Sequence, residues 1–193
     1  MKRWSTLVLA LLALATLPAM AAAPVGSKAP VFTAPASLAG KSFTFSMKKA
    51  LAKGPVVVYF YPAAFTGGCD LEAHTFATHA ADFARAGATI IGVSADGIER
   101  LNRFSADPDY CAGKFPVASD PGGKIAATYG LELIPPQQGA TDVNGDPVTH
   151  GFIPRTTFVI DGNDKIVAVF SSSADHLTPD EHVTKSLAIV QQL

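Results

Sequence analysis

The sequence predicts an α/β layered domain with a central sheet flanked by helices. Three observations predict it: continuous apolar runs at residues 56–61 and 89–94, a helical segment after each, and a strand pair at 156–160 and 166–170 followed by a capped helix. A run that is apolar at every position reads as a strand buried on both faces, as in the middle of a parallel sheet covered by helices. Strand, helix, strand, helix, then a hairpin and a helix is a layered α/β pattern.

Residues 25–36, with Pro30 and Pro35, read as an irregular lead-in, and residues 42–45 as a short extended piece. Residues 47–53 make a helical turn ended by Gly54-Pro55. Val56-Val57-Val58-Tyr59-Phe60-Tyr61 is the first central strand, and Pro62 stops it. Its aromatics read as core residues, with Tyr61 also a candidate for a pocket wall. After a loop at 63–68, residues 69–86 read as one helix with Leu71, Phe76 and Phe83 as core contacts and Gly87 as its stop. Thr89-Ile90-Ile91-Gly92-Val93-Ser94 is the second buried strand. Residues 97–105 form a second helix, 115–118 a short strand, and 123–129 a third helix stopped by Gly130. Residues 131–151, rich in Pro, Gly and polar side chains, read as an insertion loop. The last hairpin turns on Asp161-Gly162-Asn163-Asp164. Thr178-Pro179-Asp180-Glu181 caps a final helix running towards Val190. There is no internal repeat or low-complexity tract, so residues 22–193 read as one domain.

The first 21 residues read differently. Lys2 and Arg3 precede an apolar stretch at 7–15, and Ala19-Met20-Ala21 supplies an A-x-A cleavage site, which together make a secretory signal peptide at 1–21. The stretch is well short of the roughly 20 residues a membrane span needs. The expected location is therefore exported, periplasmic or secreted. The formal net charge is −1, and cleavage would remove two cations and no acid. Without a basic stripe there is no electrostatic case for nucleic acid or an anionic membrane surface. Two cysteines, Cys69 and Cys111, fit either a structural bridge or a redox pair, and composition does not choose.

The informative stretch is Pro62-Ala63-Ala64-Phe65-Thr66-Gly67-Gly68-Cys69-Asp70-Leu71-Glu72. It places a cysteine in the first turn of a helix, where unpaired N–H groups and the helix dipole favour an anion. A free thiol ionises near pH 8.5, so a drop of about two units would make it mostly thiolate. That drop corresponds to about 3 kcal/mol of interaction with the anion. Thr66 is near enough for its hydroxyl to reach the sulfur. Asp70 works against ionisation, so a compensating cation is expected.

At these residues the chain resembles the peroxiredoxin family. Pro62, Thr66 and Cys69 meet its P-x-x-x-T-x-x-C signature, and Glu72 the acidic residue three further on. Arg155, before Thr156-Thr157-Phe158-Val159-Ile160-Asp161, matches the family's active-site arginine, and Gly26-Ser27-Lys28-Ala29-Pro30-Val31-Phe32 its opening. The resemblance is greatest to the bacterioferritin-comigratory, PrxQ-like branch and spans nearly all of residues 22–193. It implies a thioredoxin-like fold with added N-terminal elements and peroxide reduction without metal, haem or flavin. It implies that Cys69 attacks a hydroperoxide and becomes a sulfenic acid, with Arg155 and Thr66 on the peroxide oxygens, Pro62 shielding the sulfur and Glu72 positioning Arg155. The branch often has a resolving cysteine five residues after the first. His74 stands there, so Cys111 is the resolving candidate. Bridging is expected to need local unwinding around 66–72 and 107–113. From the compartment and the chemistry, the expected partner is a thioredoxin-like or low-molecular-weight thiol reductant, and the expected state a monomer or weak dimer.

Other readings stand beside this one. One takes Cys111 as a bystander in a one-cysteine enzyme, and another takes both thiols as a structural bridge in a non-catalytic module. Glu72 alone would be an ordinary first-turn acid, and Arg155 alone a surface cation. A disulfide oxidoreductase would need C-x-x-C, and residue 72 is Glu. A copper-delivery protein would need two adjacent cysteines and a histidine. His74, His79, His150, His176 and His182 lack ligand spacing and read as solvated.

Overall fold

The structure, a computed structural model, describes residues 22–193; the expected signal peptide at 1–21 lies outside the described residues. Among the described residues seven strands form one mixed sheet. They are β1 (Thr33–Leu38), β2 (Lys41–Ser46), β3 (Val56–Phe60), β4 (Thr89–Ser94), β5 (Val117–Ser119), β6 (Thr156–Ile160) and β7 (Ile166–Ser171), ordered β2-β1-β5-β4-β3-β6-β7. The two strands read from continuous apolar runs, β3 and β4, are parallel neighbours near the centre, with Val57 opposite Ile90 and Tyr59 opposite Gly92. β6 runs antiparallel to β3 on its other side and pairs outward with β7.

Alternation along β3 divides the core. Val56, Val58 and Phe60 join Met47, Tyr129, Phe158 and Ile160 on one face. Val57, Tyr59 and Tyr61 join Cys69, Phe76, Phe83, Leu101, Phe104, Cys111 and Val183 on the other. Every β3 residue is buried, as a strand covered on both sides must be. Both thiols therefore lie on one face of the sheet.

The helices are α1 (Met47–Leu51), α2 (Gly67–Thr78), α3 (Ala80–Arg85), α4 (Ile98–Ala106), α5 (Lys124–Thr128), α6 (Ser172–Asp175) and α7 (Pro179–Val190). The capping box at Thr178 and Glu181 forms as read, with Pro179 in the first turn of α7. Other expectations need correction. The single helix over 69–86 is two, broken at His79, whose φ of −95° and ψ of 7° leave the helical region. Phe76 and Phe83 are buried, but Leu71 is 47% exposed, because α2 turns Asp70 and Glu72 inward instead. The lead-in at 25–36 contains most of β1. Its Pro35 is tolerated where the β5 ladder reaches only Ala36 and Ser37. The loop at 131–151 is tied down by bridges Ile134–Phe152 and Thr141–Pro147.

Candidate active site

The chain leaves β3 at Phe60 and must turn sharply to start α2. Phe65 takes a left-handed φ of 59°, a conformation a bulky residue adopts only when its surroundings impose it. Here they do. Asp96 accepts from the Ala64 N–H at 2.8 Å, Arg100 donates to the Ala64 carbonyl at 2.9 Å, and the Val143 N–H donates to the Phe65 carbonyl at 2.9 Å. Thr66 then caps α2 from extended backbone, with its hydroxyl donating to the Ala63 carbonyl at 2.7 Å.

Cys69 lies in the first turn of α2 with 2% of its surface exposed. Arg155, just before β6, donates from Nη2 to Cys69 Sγ at 3.2 Å. Its Nη1 bonds Glu72 Oε2, and Glu72 is fully buried one turn after the cysteine. Gly68 makes room for this pairing, since a Cβ there would stand 3.3 Å from Arg155 Nη2 and 3.5 Å from Pro179 Cγ. Thr66, Cys69, Glu72 and Arg155 therefore meet, with partly buried Pro62 opening the loop. Cys111 is elsewhere on the same face, buried in the turn after α4, and neither cysteine is in a disulfide.

The electrostatics correct one expectation. Burial pushes the Cys69 thiol up from its ordinary value, ahead of the downward pull of Arg155, the Ala63 backbone and the Thr66 hydroxyl. The N–H groups of Cys69 and Asp70, counted in sequence as open to an anion, both donate to the Thr66 carbonyl. Arg155 is thus the expected compensating cation, working against dehydration. Burial pushes Glu72 up to about 7 against the pull of Arg155. Burial would lower Arg155, yet Glu72 and Cys69 hold it above its ordinary value.

Several site neighbours were not foreseen. Asp96 and Asp142 flank Arg100, at 3.0 Å and 2.7 Å, and His150 Nε2 lies 2.9 Å from Asp96. His182 is fully buried between Thr157 and Ser172. Neither His150 nor His182 is the solvated residue expected. Among the described residues no group of three or more His, Cys, Asp and Glu could hold a metal ion, and no helix is long and apolar enough to cross a membrane.

A profile described as the AhpC/TSA family matches residues 25–169, three quarters of the chain. The chain belongs to the AhpC/TSA family. Among its peroxiredoxin relatives is a Mycobacterium tuberculosis protein assigned to that class, 33% identical over 149 residues, which are 74% of this chain and 82% of the relative. Of solved structures, peroxidoxin BcpB from Mycobacterium tuberculosis superposes with a TM-score of 0.70 at 30% identity, covering 88% of this chain and 97% of that one. The bacterioferritin comigratory protein of Xanthomonas campestris, described with an alkyl peroxide reduction activity, gives 0.62 at 26% identity, covering 82% and 90%. The fold is thus the thioredoxin-like peroxiredoxin fold of the resemblance, and the chain is a thiol-dependent peroxidase.

Proposed function

We propose that the chain reduces hydrogen peroxide and organic hydroperoxides at Cys69, with Cys111 as the resolving thiol. The observation that carries this reading is the 3.2 Å approach of Arg155 Nη2 to Cys69 Sγ. The guanidinium pairs with buried Glu72 through Nη1 and leaves Nη2 on the sulfur. It offsets the dehydration of the thiolate and presents a second donor direction to an incoming oxygen. The Cys69 thiolate attacks the terminal peroxide oxygen, the O–O bond breaks, and the departing alkoxide or hydroxide takes a proton to leave as alcohol or water. Cys69 becomes a sulfenic acid. Thr66 and Arg155 hold the peroxide oxygens, Glu72 holds Arg155, and Pro62 keeps water from the sulfur. The organic substrate class is supported by the alkyl peroxide reduction described for the Xanthomonas relative.

Cys111 then displaces hydroxide from the sulfenic sulfur to form the Cys69–Cys111 disulfide. A thioredoxin-like protein or small thiol reduces it, in an exported compartment if residues 1–21 act as the signal they resemble. In this reading the first turn of α2 and the turn after α4 open to bring the two Cα atoms within the range of about 4.4–6.8 Å that a disulfide needs. Peroxide consumption by wild type, Cys69→Ser and Cys111→Ser, each with thioredoxin or glutathione, tests the reading. Cys69→Ser should be silent. Cys111→Ser should consume one equivalent and stop as sulfenic acid unless an external thiol rescues it. Turnover above background in Cys69→Ser overturns the site. A wild type that holds sulfenic acid without forming the bridge makes Cys111 a bystander.

A further inference from the structure

We infer that Asp70 is a positioning residue for the second half-reaction: its buried carboxylate loosens the first turn of α2, so that Cys69 can leave its pocket and reach Cys111. This rests on the reading of Cys111 as the resolving thiol. Asp70 directly follows Cys69 and is 8% exposed, and its Oδ1 is buried with no hydrogen-bond partner among the described residues. Its direction follows from the helix. His74 lies one turn further along the same face and meets the Asp109 carbonyl through Nδ1 at 3.0 Å. The Asp70 face of α2 therefore packs on the turn that carries Cys111.

The groups around the carboxylate make its charge uncomfortable. Asp107, Asp109, Tyr110 and Cys111 belong to the turn after α4, and Asp142 belongs to the 131–151 loop. Arg100 of α4 is occupied by Asp96 and Asp142, and Arg103 lies over the Phe65 ring at 5.9 Å. Among the described residues no cation reaches Asp70 within salt-bridge distance. Burial pushes Asp70 up from 3.8 to about 6 against the downward pull of the Thr66 and Phe65 backbone, with Asp142 and Asp107 adding to the rise. At neutral pH it is thus charged, largely dehydrated and repelled by two acids, and the Thr66 and Phe65 backbone offsets this only in part. Unwinding 67–72 rehydrates it. The sign follows: a carboxyl raised in the folded turn favours the closed turn at low pH, and that preference is lost as pH rises from 3.8 through about 6. Two units correspond to at most about a hundredfold in the opening equilibrium.

The experiment compares wild type, Asp70→Asn and Asp70→Ser, the last included in case a buried amide misfolds. Amide hydrogen exchange at residues 67–73, corrected for its intrinsic pH dependence, should show opening that grows through pH 6 in wild type and stays flat in the variants. After one equivalent of hydrogen peroxide, the Cys69–Cys111 disulfide should form at least tenfold more slowly at pH 7.5 in the variants. That sign is diagnostic, because Asp70 also raises the Cys111 thiol, after burial and Asp107. Losing its charge would by itself make Cys111 a better nucleophile and speed the bridge. Bridging that is unchanged or faster, with unchanged exchange, overturns the proposal. If wild type never bridges but its exchange keeps the Asp70-dependent rise, the assignment of Cys111 falls and control of the turn by Asp70 stands.

Discussion

Two effects oppose each other at Cys69, and their magnitudes decide what Arg155 is for. Dehydration raises the thiol, while a charge-assisted hydrogen bond to a buried sulfur is worth about 1.5–3 kcal/mol. That is roughly a ten- to hundredfold change in thiolate population. Arg155→Ala should therefore raise the Cys69 thiol further and lower the rate of reaction with peroxide by roughly ten- to hundredfold, read from thiolate absorbance against pH and from stopped-flow consumption. An unmoved titration would detach Arg155 from the sulfur. The residues that meet here were legible because the spacing Pro62–Thr66–Cys69–Glu72 and the Arg155 strand form a recognisable pattern. The direction of the thiol shift was not. It depends on how completely helices α2 and α7 exclude water, and on the Thr66 carbonyl taking the very N–H groups the sequence left open.

Helix α2 shows where periodicity misleads. Leu71, Phe76 and Phe83 suggest an apolar stripe, but α2 buries Asp70, Glu72 and Ala73 and leaves Leu71 outside. The reason is functional geometry: Glu72 must face Arg155, and Leu71 is adjacent to it on the helix, about 100° away. Gly68 carries a second consequence. Alanine in a helix is favoured over glycine by about 1 kcal/mol. Its Cβ would nevertheless stand 3.3 Å from Arg155 Nη2, so the guanidinium must shift by a few tenths of an ångström. Gly68→Ala should thus melt at the same temperature or a few degrees higher while losing about tenfold in peroxidase rate, since small misplacements near a reacting atom cost up to about a hundredfold. Full activity in a stabilised Gly68→Ala would show that Arg155 has room to spare.

At the scale of the whole molecule, buried polar groups join parts far apart in sequence, and these were the least legible. Arg100 links Asp96, Asp142 and the Ala64 carbonyl, tying the 131–151 loop to the turn before Cys69. Nothing in the spacing of 96, 100 and 142 announces this. Removing one partner of a buried pair costs about 3–5 kcal/mol. Asp142→Ala should destabilise the fold by about 3 kcal/mol in urea and slow peroxide reduction as the Phe65 turn relaxes. His182 makes a comparable link between β6 and α6 from its place on α7. Ser172 Oγ donates to the Leu177 carbonyl at 2.9 Å, so at 3.0 Å it accepts from His182 Nε2. Nδ1 is left to accept from Thr157 Oγ1 at 2.9 Å, which makes this a neutral Nε2–H imidazole. Burial, with Arg155 nearby, pushes it down from 6.5 to about 4. The unfolded chain binds its proton first, so this contribution to stability is complete above pH 6.5 and is lost as pH falls through about 4. Two and a half units set an upper limit of about 3 kcal/mol. Asp70 and Glu72, both raised, run the opposite way over overlapping pH, so a wild-type curve alone would blur the effect. The informative quantity is the difference between wild type and His182→Gln in urea unfolding from pH 4 to 7.5. Glutamine can donate and accept as the neutral ring does but does not titrate. Wild type should lose up to about 3 kcal/mol relative to His182→Gln between pH 6.5 and 4, and parallel curves would mean that His182 can protonate without disturbing Thr157 and Ser172.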